Sequence, residues 1–144
     1  MRKTVWFMLG ILVITSVLLV ACGGGGGGGN TPTRQQPPAE FANAANPFEG
    51  NQDAVTAGKT AYETNCTACH GATAMGDGPA GASLDPKPAN LQNAVKQTSP
   101  QYIHWVISAG GSAAGLNASM PAFKAVLSEE DIWRITTYLT STYK

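Results

Sequence analysis

Two cysteines three positions apart with a histidine directly behind them, Cys66-Thr67-Ala68-Cys69-His70, constrain this chain more than any other feature. That spacing is what covalent haem attachment requires. Each thiol adds across one vinyl group of a porphyrin to form a thioether, and the adjacent imidazole is held beneath the iron as its proximal ligand. Paired thiols also serve in redox C-x-x-C motifs and in zinc sites. Zinc needs two further ligands, yet the chain has one other histidine, His104, and one other cysteine, Cys22, which lies in a leader. A thioredoxin-like motif belongs in a βαβ context, and no strand pattern surrounds this one. One covalently bound haem c is therefore the expected cofactor.

Residues 1–21 read as a lipoprotein signal peptide. Arg2 and Lys3 form a positive start, an apolar run extends from Val5 to Val20, and small Ala21 precedes Cys22. Leu19-Val20-Ala21-Cys22 resembles the lipobox of bacterial lipoproteins, in which the cysteine is acylated. Lipidation of Cys22 accounts for the odd cysteine count: two thiols for haem, one for lipid. The rival reading is an uncleaved anchor, because the apolar run approaches the roughly 17 residues needed to span a bilayer. Either way the remainder is expected on the extracytoplasmic, periplasmic face of a bacterial cell membrane. Residues 22–49 then read as a flexible tether. Seven glycines, Gly23 to Gly29, lead into a Pro-, Gln-, Asn- and Ala-rich stretch with no apolar periodicity. Its coil reach is roughly 30 Å. Phe41 and Phe48 suggest that its last part lies against the domain.

Residues 50–144 read as one all-α domain of four to five helices around the haem, whose apolar plate offsets the modest core of so short a chain. Asp53 is the expected cap of a helix ending near the haem cysteines, with Ala54, Gly58, Ala61, Tyr62 and Asn65 on one face. Pro88 opens a short helix through Lys96. Ser99-Pro100 reads as the start of another, with Ile103, Val106, Ile107 and Gly110 in a stripe. Ser128-Glu129-Glu130-Asp131 places a capping hydroxyl and three carboxylates at the positive end of a last helix bearing Ile132, Ile135 and Leu139. Gly58 with Tyr62, and Ile135 with Tyr138, are suited to a close crossing of the first and last helices.

The occupant of the sixth iron position separates a carrier from a catalyst. Met75 follows His70 too closely for the chain to cross the edge of the plate and return. Met120 lies fifty residues on, between a run of small residues, Ala109 to Gly115, and Pro121-Ala122-Phe123, and is the expected ligand. His104 is expected to be a surface or partly buried residue. Asn117 is placed to hydrogen-bond near the Met120 sulfur.

In order and spacing, Gly58-Lys59-x-x-Tyr62, Cys66 to Gly71, Gly76-Asp77-Gly78-Pro79-Ala80, Pro86-Lys87-Pro88-Ala89-Asn90, Met120 to Phe123, Leu127-Ser128 and Trp133 to Tyr138 resemble a class I, monohaem cytochrome c across residues 51–143. The resemblance implies a helical fold with His70 and Met120 on opposite haem faces. It also implies that the Pro79 carbonyl orients the proximal histidine. The long lipobox-plus-glycine N-terminus departs from soluble members of the family.

The function implied is single-electron transfer by a membrane-tethered carrier in a respiratory or photosynthetic chain. Lipid-anchored relatives of this appearance occur in quinol-oxidising assemblies such as alternative complex III and as cytochrome subunits of terminal oxidases. Those assemblies are the expected redox partners, with the membrane as a further partner through the lipid. The contrasting class is a small haem enzyme or ligand sensor in which the sixth ligand is labile. The leader holds two of the nine cations, leaving seven Lys and Arg against nine Asp and Glu. Such a balance gives no support to nucleic-acid binding or to strong long-range steering.

Overall fold

The computed structural model describes residues 34–144, and all regular structure among them is helical. The helices are α1 (Ala39–Ala42), α2 (Gln52–Asn65), α3 (Thr67–His70), α4 (Leu91–Ala94), α5 (Pro100–Ala109) and α6 (Glu129–Tyr143). Short 3-10 turns at Pro79–Gly81, Ser112–Ala114 and Phe123–Ala125 lie in the connections. The expected signal peptide, Cys22 and the glycine run lie outside the described residues.

Side-chain caps decide where the helices begin. Ser128 Oγ accepts from the Asp131 amide at 3.1 Å and donates to Asp131 Oδ2 at 2.7 Å, so hydroxyl and carboxylate close the first turn of α6. Ser99 does the same service for α5, accepting from the Tyr102 amide ahead of Pro100. On α2 the cap is Asn51, whose Oδ1 accepts from the Ala54 amide at 3.0 Å. The expected cap, Asp53, sits inside the first turn, where its charge still suits the helix dipole. The helix expected to open at Pro88 begins after Asn90, whose side chain caps α4. Two prolines and the intervening lysine keep residues 86–88 non-helical.

The core lies between α2, α5 and α6, where Tyr62, Val95, Ile107, Ile132, Ile135 and Leu139 are buried. Gly58 makes the α2–α6 crossing possible. A Cβ there would collide with the Arg134 carbonyl, and would also stand 3.0 Å from the Tyr138 Cβ. Tyr62 and Tyr138 pack beside the crossing with ring centroids 5.5 Å apart. The close approach expected from Gly58 and these aromatics is thus present.

Helix α6 is buried on more than one side, which explains its two buried threonines. Thr136 and Thr137 satisfy their hydroxyls on the carbonyls of Ile132 and Trp133 at 2.9 and 2.8 Å. The outer side is covered by a segment assigned above to the tether. Gln35 N donates to Ala114 O, Gln101 Nε2 donates to Ala44 O, and Asn46 Nδ2 donates to Thr137 Oγ1. Phe41 packs at 5.7 Å from the His104 ring, and Arg134 lies over Phe48 at 5.0 Å. Residues 34–48 therefore form a strap along α5 and α6. Phe41 and Phe48 hold it because their rings gain burial there that a free coil would forgo.

Candidate functional site

A cavity of about 580 Å³ opens between α3, α5, α6 and the loop ahead of Pro121, a size within the roughly 300–1,000 Å³ of cofactor sites. Its wall is mostly apolar, with Ile103, Val106 and Ile107 from α5 and Ile135 and Leu139 from α6. Cys66 ends α2 and starts the single turn of α3. Positions i, i+3 and i+4 share one face of a helical turn, and Cys66, Cys69 and His70 all line the cavity while Thr67 and Ala68 do not. A shallower pocket on the outer side of that turn takes Thr67 and Ala68 instead.

The imidazole of His70 is oriented from behind. Its Nδ1 lies 3.1 Å from the Ala89 carbonyl, which can only accept, so Nδ1 carries the proton and Nε2 keeps its lone pair. Burial also holds the ring below its ordinary pKa, against the opposing pull of the Ala89 hydrogen bond. A neutral, Nδ1-protonated imidazole is the form that ligates a metal.

The carbonyl facing His70 is thus that of Ala89 and not that of Pro79. Pro79 is exposed, outside the cavity wall, at the start of a 3-10 turn. Gly78 N donates to Cys69 O at 3.2 Å and holds that turn against the back of α3. The non-helical 86–89 segment passes the imidazole instead. The signal that could have pointed there is Pro86-Lys87-Pro88-Ala89-Asn90, whose two prolines lack N–H donors and keep the segment out of a helix, leaving its carbonyls free to face other groups.

Burial, and secondarily Cys69, push the Cys66 thiol up to about 12. A redox C-x-x-C needs a depressed thiol pKa, so this environment opposes the oxidoreductase reading. Among the described residues, no three His, Cys, Asp or Glu side chains converge as a metal site.

Met120 lines the same cavity, half-buried, whereas Met75 is 52% exposed and outside it. Gly110 and Gly111 let the loop fold back onto the end of α5. Gly110 sits at φ +83°, and a Cβ on Gly111 would collide with the Asn117 carbonyl and press on the Met120 Cβ at 3.2 Å. Gly111 N then donates to Met120 O at 3.0 Å. Asn117 is engaged at both ends, donating to Pro86 O at 2.6 Å and accepting from the Ser119 amide at 2.9 Å. It clasps the loop to the 86–89 segment, and the expected hydrogen bond near the sulfur is replaced by these two.

His104 is 2% exposed and is not part of the cavity wall, against the expectation of a surface or partly buried position. Its ring stacks on Trp133 at 3.9 Å, and neither nitrogen has a hydrogen-bond partner among the described residues. Sequence reading passed over two other residues of the cavity wall, Tyr102 and Arg34.

Thiols and a neutral imidazole on one turn, a methionine sulfur in the same lining and an apolar wall fit an iron porphyrin. Comparison with known proteins agrees. A family model described as "Cytochrome C oxidase, cbb3-type, subunit III" matches residues 53–139. Cytochrome cL from the marine methylotrophic bacterium Methylophaga aminisulfidivorans MPT is similar in structure, with a TM-score of 0.54 and 21% identity over 76% of this chain and 70% of that one. The reducing HAO-like protein complex of Kuenenia stuttgartiensis contains a chain similar at a TM-score of 0.55 and 24% identity, covering 78% of this chain and 53% of that one. At these identities the likeness is one of fold. Among curated proteins, none matches the sequence. Because the family model takes in most of the chain, from α2 almost to the end of α6, the protein belongs to the cytochrome c family described as cbb3-type cytochrome c oxidase, subunit III.

Proposed function

We propose that this chain is a membrane-tethered monohaem cytochrome c that carries single electrons on the extracytoplasmic side of a bacterial membrane. A cytochrome c domain implies haem c and electron transfer. The observation that carries the finer reading is the gathering of Cys66, Cys69, His70 and Met120 on one apolar cavity. Haem bound there supplies a one-electron iron couple. Cys66 and Cys69 would hold the macrocycle through their thiols, His70 would offer Nε2 to the iron, and Met120 would offer its sulfur. A thioether favours ferrous iron, so the midpoint is expected to be fairly positive. With His70 and Met120 both committed to the iron, oxygen and peroxide would lack an open site, which favours a carrier over an enzyme.

Spectroscopic redox titration of the detergent-extracted holoprotein tests this reading. The ferric form should show the far-red methionine-to-iron charge-transfer band and resist cyanide and carbon monoxide at neutral pH. Met120→Ala should abolish the band and lower the midpoint. A spectrum and midpoint unchanged by that substitution would remove Met120 as ligand and sink the carrier mechanism.

Tethering rests on the lipobox-like Leu19 to Cys22 and the glycine run. The family description names an oxidase subunit, which is in keeping with a terminal oxidase as the redox partner; a quinol-oxidising complex is the alternative. Purification in mild detergent decides the point: multihaem or iron–sulfur proteins co-elute with a fixed subunit, while an independent carrier elutes alone.

A further inference from the structure

The cavity wall carries a buried polar group that no atom of the described residues satisfies. Tyr102 is 8% exposed and lines the cavity, yet its hydroxyl lacks a hydrogen-bond partner among the described residues. Leaving a buried hydroxyl unpaired costs about 1–3 kcal/mol, which makes it a sign of a missing ligand atom. A cation stands beside it. The Arg34 guanidinium lies 5.2 Å from the Tyr102 ring centroid and lines the same cavity. The ion pairs among the described residues belong to Lys59 and Arg134, and Arg34 has none. Its positive charge is felt at the phenol, where it opposes the upward push of burial on the pKa.

Arg34 is held there by the strap. The next residue, Gln35, donates its amide to the Ala114 carbonyl at 3.1 Å, and Ala114 is wholly buried beside Tyr102 and Trp105. Arg34 also lies outside residues 53–139, so it belongs to this chain's own extension and not to the matched family domain.

On the haem reading given above, we infer that Arg34 and Tyr102 form the receptor for a haem carboxylate. The strap, by delivering Arg34, completes the haem site from outside the domain. Haem carries two carboxylates on the side of the macrocycle away from the vinyl-derived thioethers. A carboxylate accepts from a hydroxyl and from a guanidinium fork together, a charge-assisted pairing stronger than neutral hydrogen bonds. The pairing satisfies the Tyr102 hydroxyl and gives Arg34 a counter-charge. It also makes the N-terminal extension part of what sets the potential: the Arg34 charge offsets the ionised carboxylate, whose own negative charge favours ferric iron.

The test is the midpoint of the full-chain holoprotein as a function of pH, for wild type, Arg34→Gln, Arg34→Lys and Tyr102→Phe. A haemochrome spectrum first establishes covalent haem in each. Arg34→Gln should lower the midpoint at alkaline pH, where the carboxylate is ionised, and move its pH-dependent limb upward toward the neutral range, since the carboxylate loses the charge that holds its proton off. Arg34→Lys should restore much of the midpoint, and Tyr102→Phe should shift the limb in the same direction by less. Arg34 is exposed, so its substitution leaves the core intact. If Arg34 merely packs on the tyrosine ring, stability changes while the midpoint and its pH limb stay at their wild-type values in Arg34→Gln and Tyr102→Phe, and the proposal is overturned alone. Absence of haem c from the wild-type spectrum overturns the haem reading and this inference with it.

Discussion

His104 is a buried histidine with no hydrogen-bond partner among the described residues, and its environment gives a defined acid response. Phe41 and Trp133 enclose the ring, and Glu129 is the charged group whose field reaches it. Burial holds its pKa below the ordinary 6.5, with Glu129 opposing in part. The unfolded chain takes up a proton below that ordinary value while the folded chain resists, so the unfolded state binds more protons and stability falls as pH drops through the 6.5 region. The slope contributed is at most about 1.4 kcal/mol per pH unit. His104→Phe should remove this part of the acid loss and leave stability at pH 8 equal or higher, because an unpaired polar ring is replaced by an apolar one of similar shape. Denaturant unfolding at pH 5 and pH 8 measures both. Asp131 adds a second acid-side loss: its hydrogen bond with Ser128, and then Arg134, holds its carboxyl below the usual range. That stability is present at neutral pH and is lost as the carboxyl protonates.

At the scale of elements, the crossing of α2 and α6 is the joint on which the cavity depends. Tyr62 on α2 donates to the Gly71 carbonyl at 2.8 Å, tying the helix to the end of α3, while α6 supplies Ile135 and Leu139 to the cavity wall. Gly58→Ala drives a methyl into the Arg134 carbonyl, part of the α6 backbone, which cannot rotate away. The expected cost is about 1–3 kcal/mol, or more, read as a lowered unfolding midpoint. A looser crossing also widens the cavity, so the same variant should admit carbon monoxide more readily than wild type. Ser128→Ala removes the α6 cap and should cost about 1 kcal/mol without altering the haem spectrum. Comparing the two variants separates loss of a helix start from loss of a helix contact.

For the whole molecule, the strap and the glycine run divide the N-terminal extension into two jobs. Residues 34–48 lie on α5 and α6, whereas Gly23 to Gly29 have the composition of a spacer. A near-neutral chain gains little from long-range steering, so on the tethered reading proposed above, encounter with a partner on the same membrane would depend on effective concentration. Shortening the glycine run should change the transfer rate more than raising the salt does. Stopped-flow reduction at several ionic strengths, on membranes bearing each linker length, checks this; a rate that follows salt and ignores linker length refutes it.

Read from the chain alone, the helical class, the grouping of Cys66, Cys69 and His70 on one turn, and the starts of α5 and α6 were already legible. Each depends on neighbours in sequence: thiols and imidazole at i, i+3 and i+4, and a serine hydroxyl reaching the amide three residues on. The cap of α2 was missed by two positions because Asn51 and Asp53 are chemically alike and only the backbone selects between them. What folding alone settled is everything made by long separations. Ala89, nineteen residues away, supplies the carbonyl behind His70, while Pro79 turns outward. His104 is sealed beneath Phe41, and Asn117 is spent on Pro86. Arg34 comes to stand beside Tyr102. The physical reason is common to all of them. A local motif carries its partner within one turn of helix, but which carbonyl, ring or cation meets a given side chain across the fold follows from how α2, α5 and α6 pack, and no short stretch of residues encodes that.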